Sequence, residues 1–178
     1  MRILDIAAGC GRYVLETMAA LPPGSVQSAL LRDRTPENLA AGRKLADELG
    51  LVGIEFREGD AFDEKSLAAI DPPASVAVVS GLYELFPDND LVLASLRGVV
   101  QALRGGGYLV YTGQPWHPQL EMIARVLDNR EGRPWIMRRR TQAELDALVR
   151  AAGFEKIDME IDPCGIFTVS LARVGSAR

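Results

Sequence analysis

The sequence is poor in the residues that staple small folds or build metal centres. Its two cysteines, Cys10 and Cys164, are too few for a disulfide framework or a four-thiolate zinc site. Its single histidine, His117, excludes a multi-histidine metal centre. Only Glu84 and Asp88 offer carboxylates after the fourth and fifth strand-like runs, so no metal is expected. No apolar run approaches the roughly 20 residues of a membrane span. A secretory leader is not expected, because Met1-Arg2 leads straight into a strand-like segment, and with so little cysteine a reduced, cytoplasmic setting is the expectation. A basic surplus is absent as well. The 24 acids outnumber the 20 bases for a net charge of -4, which argues against a general nucleic-acid binder. There is no internal repeat and no low-complexity tract.

What is present is an ordinary globular chain. The 178 residues, 48% apolar and 25% charged, suit a single domain over 1–178. A chain of this length buries about two-thirds of its unfolded surface and needs no staple. Short β-branched runs alternate with longer helical patterns. Strands are predicted at 3–7, 26–32, 54–57, 76–79 and 108–111, and helices at 11–21, 35–49, 63–70, 88–103 and 118–129. Arg104-Gly105-Gly106-Gly107 reads as a turn, and 130–140 as an irregular, arginine-rich connection. Thr141-Gln142-Ala143-Glu144 reads as a capping box that opens the last helix. Phe154–Ile161 and Ile166–Ala172 follow with so short a turn that they must form an antiparallel hairpin. Strands alternating with helices specify an α/β, doubly wound, mostly parallel sheet. Ligands of such sheets bind beyond the carboxyl ends of the strands. The loops to inspect are therefore those near 7–12, 33–35, 59–62, 80–86 and 112–117.

In the first loop, Gly9 and Gly11 let backbone approach a ligand at the start of a helix; the same pair also suits a tight turn with no ligand. Arg12-Tyr13 stands where a phosphate loop needs Lys-Ser/Thr, and Val14 stands where a dinucleotide fingerprint needs glycine. Asp33, directly after the second strand, is placed to accept from a ribose diol, at about 1.5–3 kcal/mol per charge-assisted bond. It reads equally as a solvated acid ahead of a helix cap. Asp60 can accept from an exocyclic amine while Phe62 packs a ring, or it can cap the helix that follows. Three loops in order thus offer groups suited to one nucleoside.

Asp5-x-Ala7-x-Gly9-x-Gly11, then Asp33, then Gly59-Asp60-Ala61, together resemble the successive motifs of class I S-adenosylmethionine-dependent methyltransferases. The resemblance covers nearly the whole chain. It implies a Rossmann-like, seven-stranded sheet in the order 3-2-1-4-5-7-6, with the terminal hairpin as strands six and seven. It implies S-adenosylmethionine as cofactor, with Gly9 and Gly11 along its methionine part and ribose and Asp33 on the ribose hydroxyls. Asp60 would take the adenine amine and the Ala61 N–H the adenine ring. Asp5, Ala7 and Ser80 complete the implied cofactor set. Ala7 departs from the glycine common in the family motif. The stretches Leu4–Gly9, Ser80–Asp88 and Tyr111–Pro118 resemble, more narrowly, a bacterial group of methyltransferases often joined to a hydrolase-like domain. Family members usually place helices before the first strand, and none fits before Arg2. A lid is therefore expected from residues 114–140, from a partner chain or from a fused domain.

For the chemistry, His117 lies just past the fifth strand and has a suitable ordinary pKa for a base, or it is a polar loop residue between Pro115 and Pro118. Tyr83 and Glu84 follow the fourth strand, where the family touches the transferring methyl or the acceptor. Tyr83 would face the sulfonium, worth about 0.5–2 kcal/mol, and Glu84 would act as base or neutralise an amine; otherwise they are a core aromatic and a cap acid. Tyr111, Gln114 and Trp116 suit a pocket wall, although Trp116 and Trp135 also suit ordinary packing. Arg130, Arg133, Arg138, Arg139 and Arg140 suit a phosphate or carboxylate on the acceptor, with a solvated loop the favoured alternative. The expected function is methyl transfer to a small or lipid-like acceptor. The alternative is a non-catalytic nucleoside-binding or interaction module. A nicotinamide-linked oxidoreductase is weakened by Val14.

Overall fold

Apolar runs become strands and amphipathic runs become helices in strict alternation through the first two-thirds of the chain. β1 (Arg2–Ile6) leads to α1 (Arg12–Ala20), β2 (Ser28–Asp33) to α2 (Pro36–Glu48), β3 (Ile54–Glu58) to α3 (Glu64–Ala68), and β4 (Ala74–Val79) to α4 (Asn89–Ala102). β5 (Leu103–Gly113) follows, then α5 (Leu120–Val126), α6 (Gln142–Ala151), β6 (Phe154–Ile161) and β7 (Thr168–Val174). This computed structural model describes residues 1–129 and 132–175. No helix among them is long and apolar enough to cross a membrane.

The seven strands form one sheet in the order β3-β2-β1-β4-β5-β7-β6, with β1 to β5 parallel and β7 antiparallel to both β5 and β6. The expected fold class and order hold. The central strands are buried on both faces, which is why Ile3-Leu4-Asp5-Ile6 and Ala77-Val78-Val79 show no polar alternation. One face packs Leu4, Ile6, Leu30 and Val79 against α3, α4 and α6; the other packs Ile3, Ala29 and Leu31 against α1 and α2. β1 and β4 are neighbours although the chain winds through β2 and β3 between them. Their carboxyl ends therefore flank the crevice where successive connections depart in opposite directions.

Local signals act as expected at most ends. Pro36 opens α2, Asp63 caps α3 by accepting from Ser66 N at 3.0 Å, and Asp88 caps α4 by accepting from Asp90 N at 2.8 Å. Three details differ from the sequence expectation. The glycine turn at 104–107 lies inside the span of β5, as an irregularity between the Ala74–Leu103 and Val76–Tyr108 pairings. α5 is shorter than the expected 118–129 helix. The capping box is half formed: Thr141 Oγ1 accepts from Glu144 N at 3.1 Å, but the Glu144 carboxylate turns to Asn89 and Arg138 instead of the cap's own N–H.

Candidate functional site

The loops after β1, β2 and β3 are fastened to one another at Asp33. Ala8 N donates to Arg32 O at 2.9 Å and Gly59 N to Asp33 O at 3.1 Å. Gly9 N donates to Asp33 Oδ2 at 2.8 Å. Asp33 Oδ1 accepts from Thr35 N at 2.9 Å and from Asn38 Nδ2 at 3.0 Å. The carboxylate is buried and uses about three of its four lone-pair positions on the protein itself. It faces the glycine loop, not solvent. Asp60, one residue beyond Gly59, is exposed; its Oδ1 accepts from Phe62 N at 2.9 Å in a local turn. Capping of α3 falls to Asp63, so Asp60 is not the helix cap. Ala61 and Phe62 pack against the core, and Phe62 meets Phe86 edge to face with ring centroids 4.6 Å apart.

Ala7, Gly9 and Gly11 all lie in left-handed backbone, at φ 52, 59 and 72. For Ala7 this costs about 1–2 kcal/mol, which explains why glycine is common at that motif position. Gly9 and Gly11 serve different ends. A Cβ on Gly9 would meet nothing within 4 Å, whereas a Cβ on Gly11 would lie 2.1 Å from Leu31 Cδ2. Gly11 is needed where α1 meets the sheet; Gly9 borders open space. Gly81, after β4, matches Gly9: its φ is 69 and nothing lies within 4 Å of a Cβ built there. Gly81 N donates to Thr112 Oγ1 at 2.8 Å, which ties this loop to the end of β5. Two open glycines thus border the crevice between β1 and β4, with half-buried Ser80 beside Gly81. Asp5 sits beneath, and burial, with the charge of Asp33 second, pushes its carboxyl up to about 8.

The loop after β4 departs from expectation. Tyr83 is 2% exposed and its hydroxyl pairs with Ser95 Oγ at 3.1 Å, so the ring is core and presents no face to a sulfonium. Glu84 is also buried, and its Oε2 has no partner among the described residues. Burial raises its carboxyl above the ordinary range, against the pull of its own backbone N–H and of Arg140. It borders a cavity of about 10 Å³ shared with Thr112, Gln114, Arg138 and Arg140, space for about one water. His117 Nδ1 accepts from Gln119 N at 3.1 Å. The ring's proton therefore sits on Nε2 in the neutral form, and no lone pair is left for a substrate. The expected base role does not fit this arrangement.

Arg138 and Arg140 of the arginine run neither hang in a solvated loop nor gather at an anion site. Arg140 is buried and donates through Nη1 to Tyr83 O, through Nη2 to Phe86 O at 2.7 Å and through Nε to Asn89 Oδ1 at 2.7 Å. Arg138 donates through Nη1 to Pro87 O at 2.6 Å and through Nη2 to Glu144, while its backbone N donates to Glu84 O at 2.9 Å. These two arginines hold the 3-10 turn at Tyr83–Leu85 in place. Arg133 stands in the exposed stretch after 132, Arg139 is exposed, and Arg130 lies outside the described residues.

Sequence reasoning missed Arg32. Its guanidinium lies so close to Gly59 that a Cβ there would sit 2.2 Å from Nη2, and Nη2 donates to Ser66 Oγ at 2.6 Å. Nε and Nη1 have no partner among the described residues, and burial, with the charge of Arg57 second, lowers the guanidinium pKa, with Asp63 and Asp60 opposing. Arg32 supports the 59–63 loop from below. A charged residue inside an otherwise apolar buried strand was the available signal.

The strand order and antiparallel β5-β7-β6 edge define a Rossmann-like methyltransferase fold. Similar solved structures include an O-methyltransferase family protein from Burkholderia thailandensis, at TM-score 0.77 and 16% identity over 99% of this chain and 52% of that one. A SAM-dependent methyltransferase from Methanosarcina mazei matches at TM-score 0.73 and 21% identity, over 99% of this chain and 93% of that one. The chain belongs to the family described as "Putative methyltransferase", whose model matches residues 1–174. It is 52% identical over 174 residues to YnbC of Escherichia coli (strain K12), an uncharacterized protein, covering 97% of this chain and 29% of YnbC. The chain thus spans less than a third of that relative's length.

Proposed function

We propose that the chain binds S-adenosylmethionine across the carboxyl ends of β1, β2 and β4 and transfers its methyl group to a small or lipid-like acceptor. The observation that carries this reading is the Gly9 N to Asp33 Oδ2 contact of 2.8 Å beside the open space over Gly9 and Gly81. It puts a carboxylate next to a glycine-lined crevice, as a ribose requires. In this reading Ala7, Gly9 and Gly11 shape the backbone along the methionine part and ribose, with Asp5 and Ser80 bordering that end. Asp33 accepts from the ribose hydroxyls, by its remaining lone pair or by exchanging one protein donor. The other carboxylate oxygen of Asp60 accepts from the adenine amine, and Ala61 N lies beside the ring.

When bound, the cofactor supplies a methyl already activated by a positive sulfur. The chain would hold the acceptor atom in line with that carbon–sulfur bond, so that the bond's electron pair would stay on sulfur as the methyl moved and any proton on the acceptor atom would leave to solvent. The protein's task is orientation, which contributes about 7–11 kcal/mol in well-aligned cases. No side chain need act as base, consistent with the placement of Tyr83, Glu84 and His117. That same placement favours a second reading, a non-catalytic nucleoside-binding module.

Isothermal titration with S-adenosylmethionine, its demethylated product and NAD tests the reading. Saturable binding of the first two and none of NAD is expected. No binding at millimolar cofactor overturns it, and binding without methyl transfer to any acceptor leaves the module.

A further inference from the structure

An open cavity of about 540 Å³ lies at the carboxyl end of β5, between the start of α5 and the 137–139 segment. Its size falls within the range of small-molecule sites. Trp116, Leu120 and Met137 give it an apolar wall, and Trp116 is 50% exposed. The indole offers this space a flat apolar face with a polar N–H at its edge. Arg139 borders the same space.

The 137–140 segment works as a two-sided wall. Arg138 and Arg140 turn toward the loop after β4 and spend their donors on Tyr83, Phe86, Pro87, Asn89 and Glu144. Met137 and Arg139 line the open cavity on the other side. No described residue pairs with the Arg139 guanidinium. Glu121, which also borders the cavity, pairs with Arg125 at 2.7 Å on the exposed side of α5. The wall is anchored to the loop after β4, because Arg138 N donates to Glu84 O at 2.9 Å.

We infer that this cavity takes the methyl acceptor, and that the acceptor is an apolar molecule bearing an anionic group, its body on Trp116 and Met137 and its carboxylate or phosphate on Arg139. The inference rests on the methyltransferase reading above. A guanidinium with free donors offers two parallel charge-assisted bonds to either anion, and a neutral amide in the same place offers no such match.

Titration of the full chain, loaded with the demethylated cofactor, tests this with three probes of one shape: 2-naphthoate, 2-naphthyl phosphate and 2-naphthamide. The two anions are expected to bind about fivefold or more tighter than the amide. Arg139→Gln should erase that preference while leaving amide affinity and thermal stability unchanged, since Arg139 is exposed and its guanidinium pairs with no described residue. Trp116→Ala should weaken all three probes. The tighter of the two anions identifies the acceptor's charged group. Amide binding equal to naphthoate binding, a preference that survives Arg139→Gln, or no saturable binding of any probe at millimolar concentration overturns the inference. Failure of the methyltransferase reading looks different: the chain then binds no cofactor, while the anion preference and its loss in Arg139→Gln persist without it.

Discussion

Replacing Arg140 by leucine tests how the loop after β4 is held. The guanidinium serves Tyr83 O, Phe86 O and Asn89 Oδ1 from a buried position beside Glu84. Leucine fills much of the volume but strands three acceptors and removes the charge that opposes Glu84. An orphaned buried acceptor costs about 1–3 kcal/mol, and breaking a buried charged cluster typically costs about 3–5 kcal/mol in all. With about 2–4 °C per kcal/mol for a chain of this size, the melting temperature should fall by about 6–20 °C. Circular dichroism melts and urea unfolding of both proteins read this directly. Arg140→Lys keeps the charge but loses the fork and should recover only part of the loss. A drop of less than about 2 °C for Arg140→Leu would refute the pinning role and return the segment to a solvated connection.

Other substitutions bear on the crevice. Asp33→Ala should weaken S-adenosylmethionine binding about tenfold or more, equivalent to about 1.4 kcal/mol, by titration calorimetry; unchanged affinity removes Asp33 from the site. Gly11→Ala should destabilise by about 2 kcal/mol or more in urea unfolding, because its Cβ would meet Leu31 Cδ2 at 2.1 Å in left-handed backbone, whereas Gly9→Ala should affect cofactor affinity more than stability. Asp5 binds its proton more tightly folded than unfolded, with a folded value of about 8. Between its unfolded value near 4 and about 8 the folded state holds the extra proton, so stability falls as pH rises through that window. Asp5→Asn should flatten the dependence, and an equally steep curve in the variant counts against this burial effect. His117→Ala should change turnover by less than about threefold, because its lone pair is already bonded; a loss of a hundredfold, with cofactor affinity intact, would restore it as a base.

Much of the fold was legible because its signals are local. Buried parallel strands read as unbroken apolar runs such as Val76-Ala77-Val78-Val79, and Pro36, Asp88 and Gly50 mark helix ends. The loops over β1 to β3 were partly legible for the same reason: a glycine turn such as Gly9–Gly11 and an acid such as Asp33 at a strand's end carry local meaning in sequence. The loop after β4 was not, because its state depends on partners far along the chain. Tyr83 is settled by Ser95, and the roles of Arg138 and Arg140 depend on carbonyls more than fifty residues away for Arg140 and at Pro87 for Arg138. Nothing in the spacing of five arginines says which face their neighbours and which face water. Glu144 shows the same limit, since a capping-box glutamate gave up its local partner for Asn89 and Arg138.

A crystal structure of the chain soaked with the demethylated cofactor is the most direct measurement. Density for a nucleoside between Gly9 and Gly81, with its ribose on Asp33 and its base beside Asp60 and Ala61, is the predicted result. Nucleoside density elsewhere, or an empty crevice at saturating ligand with Asp33 still bonded only to Gly9, Thr35 and Asn38, contradicts the account.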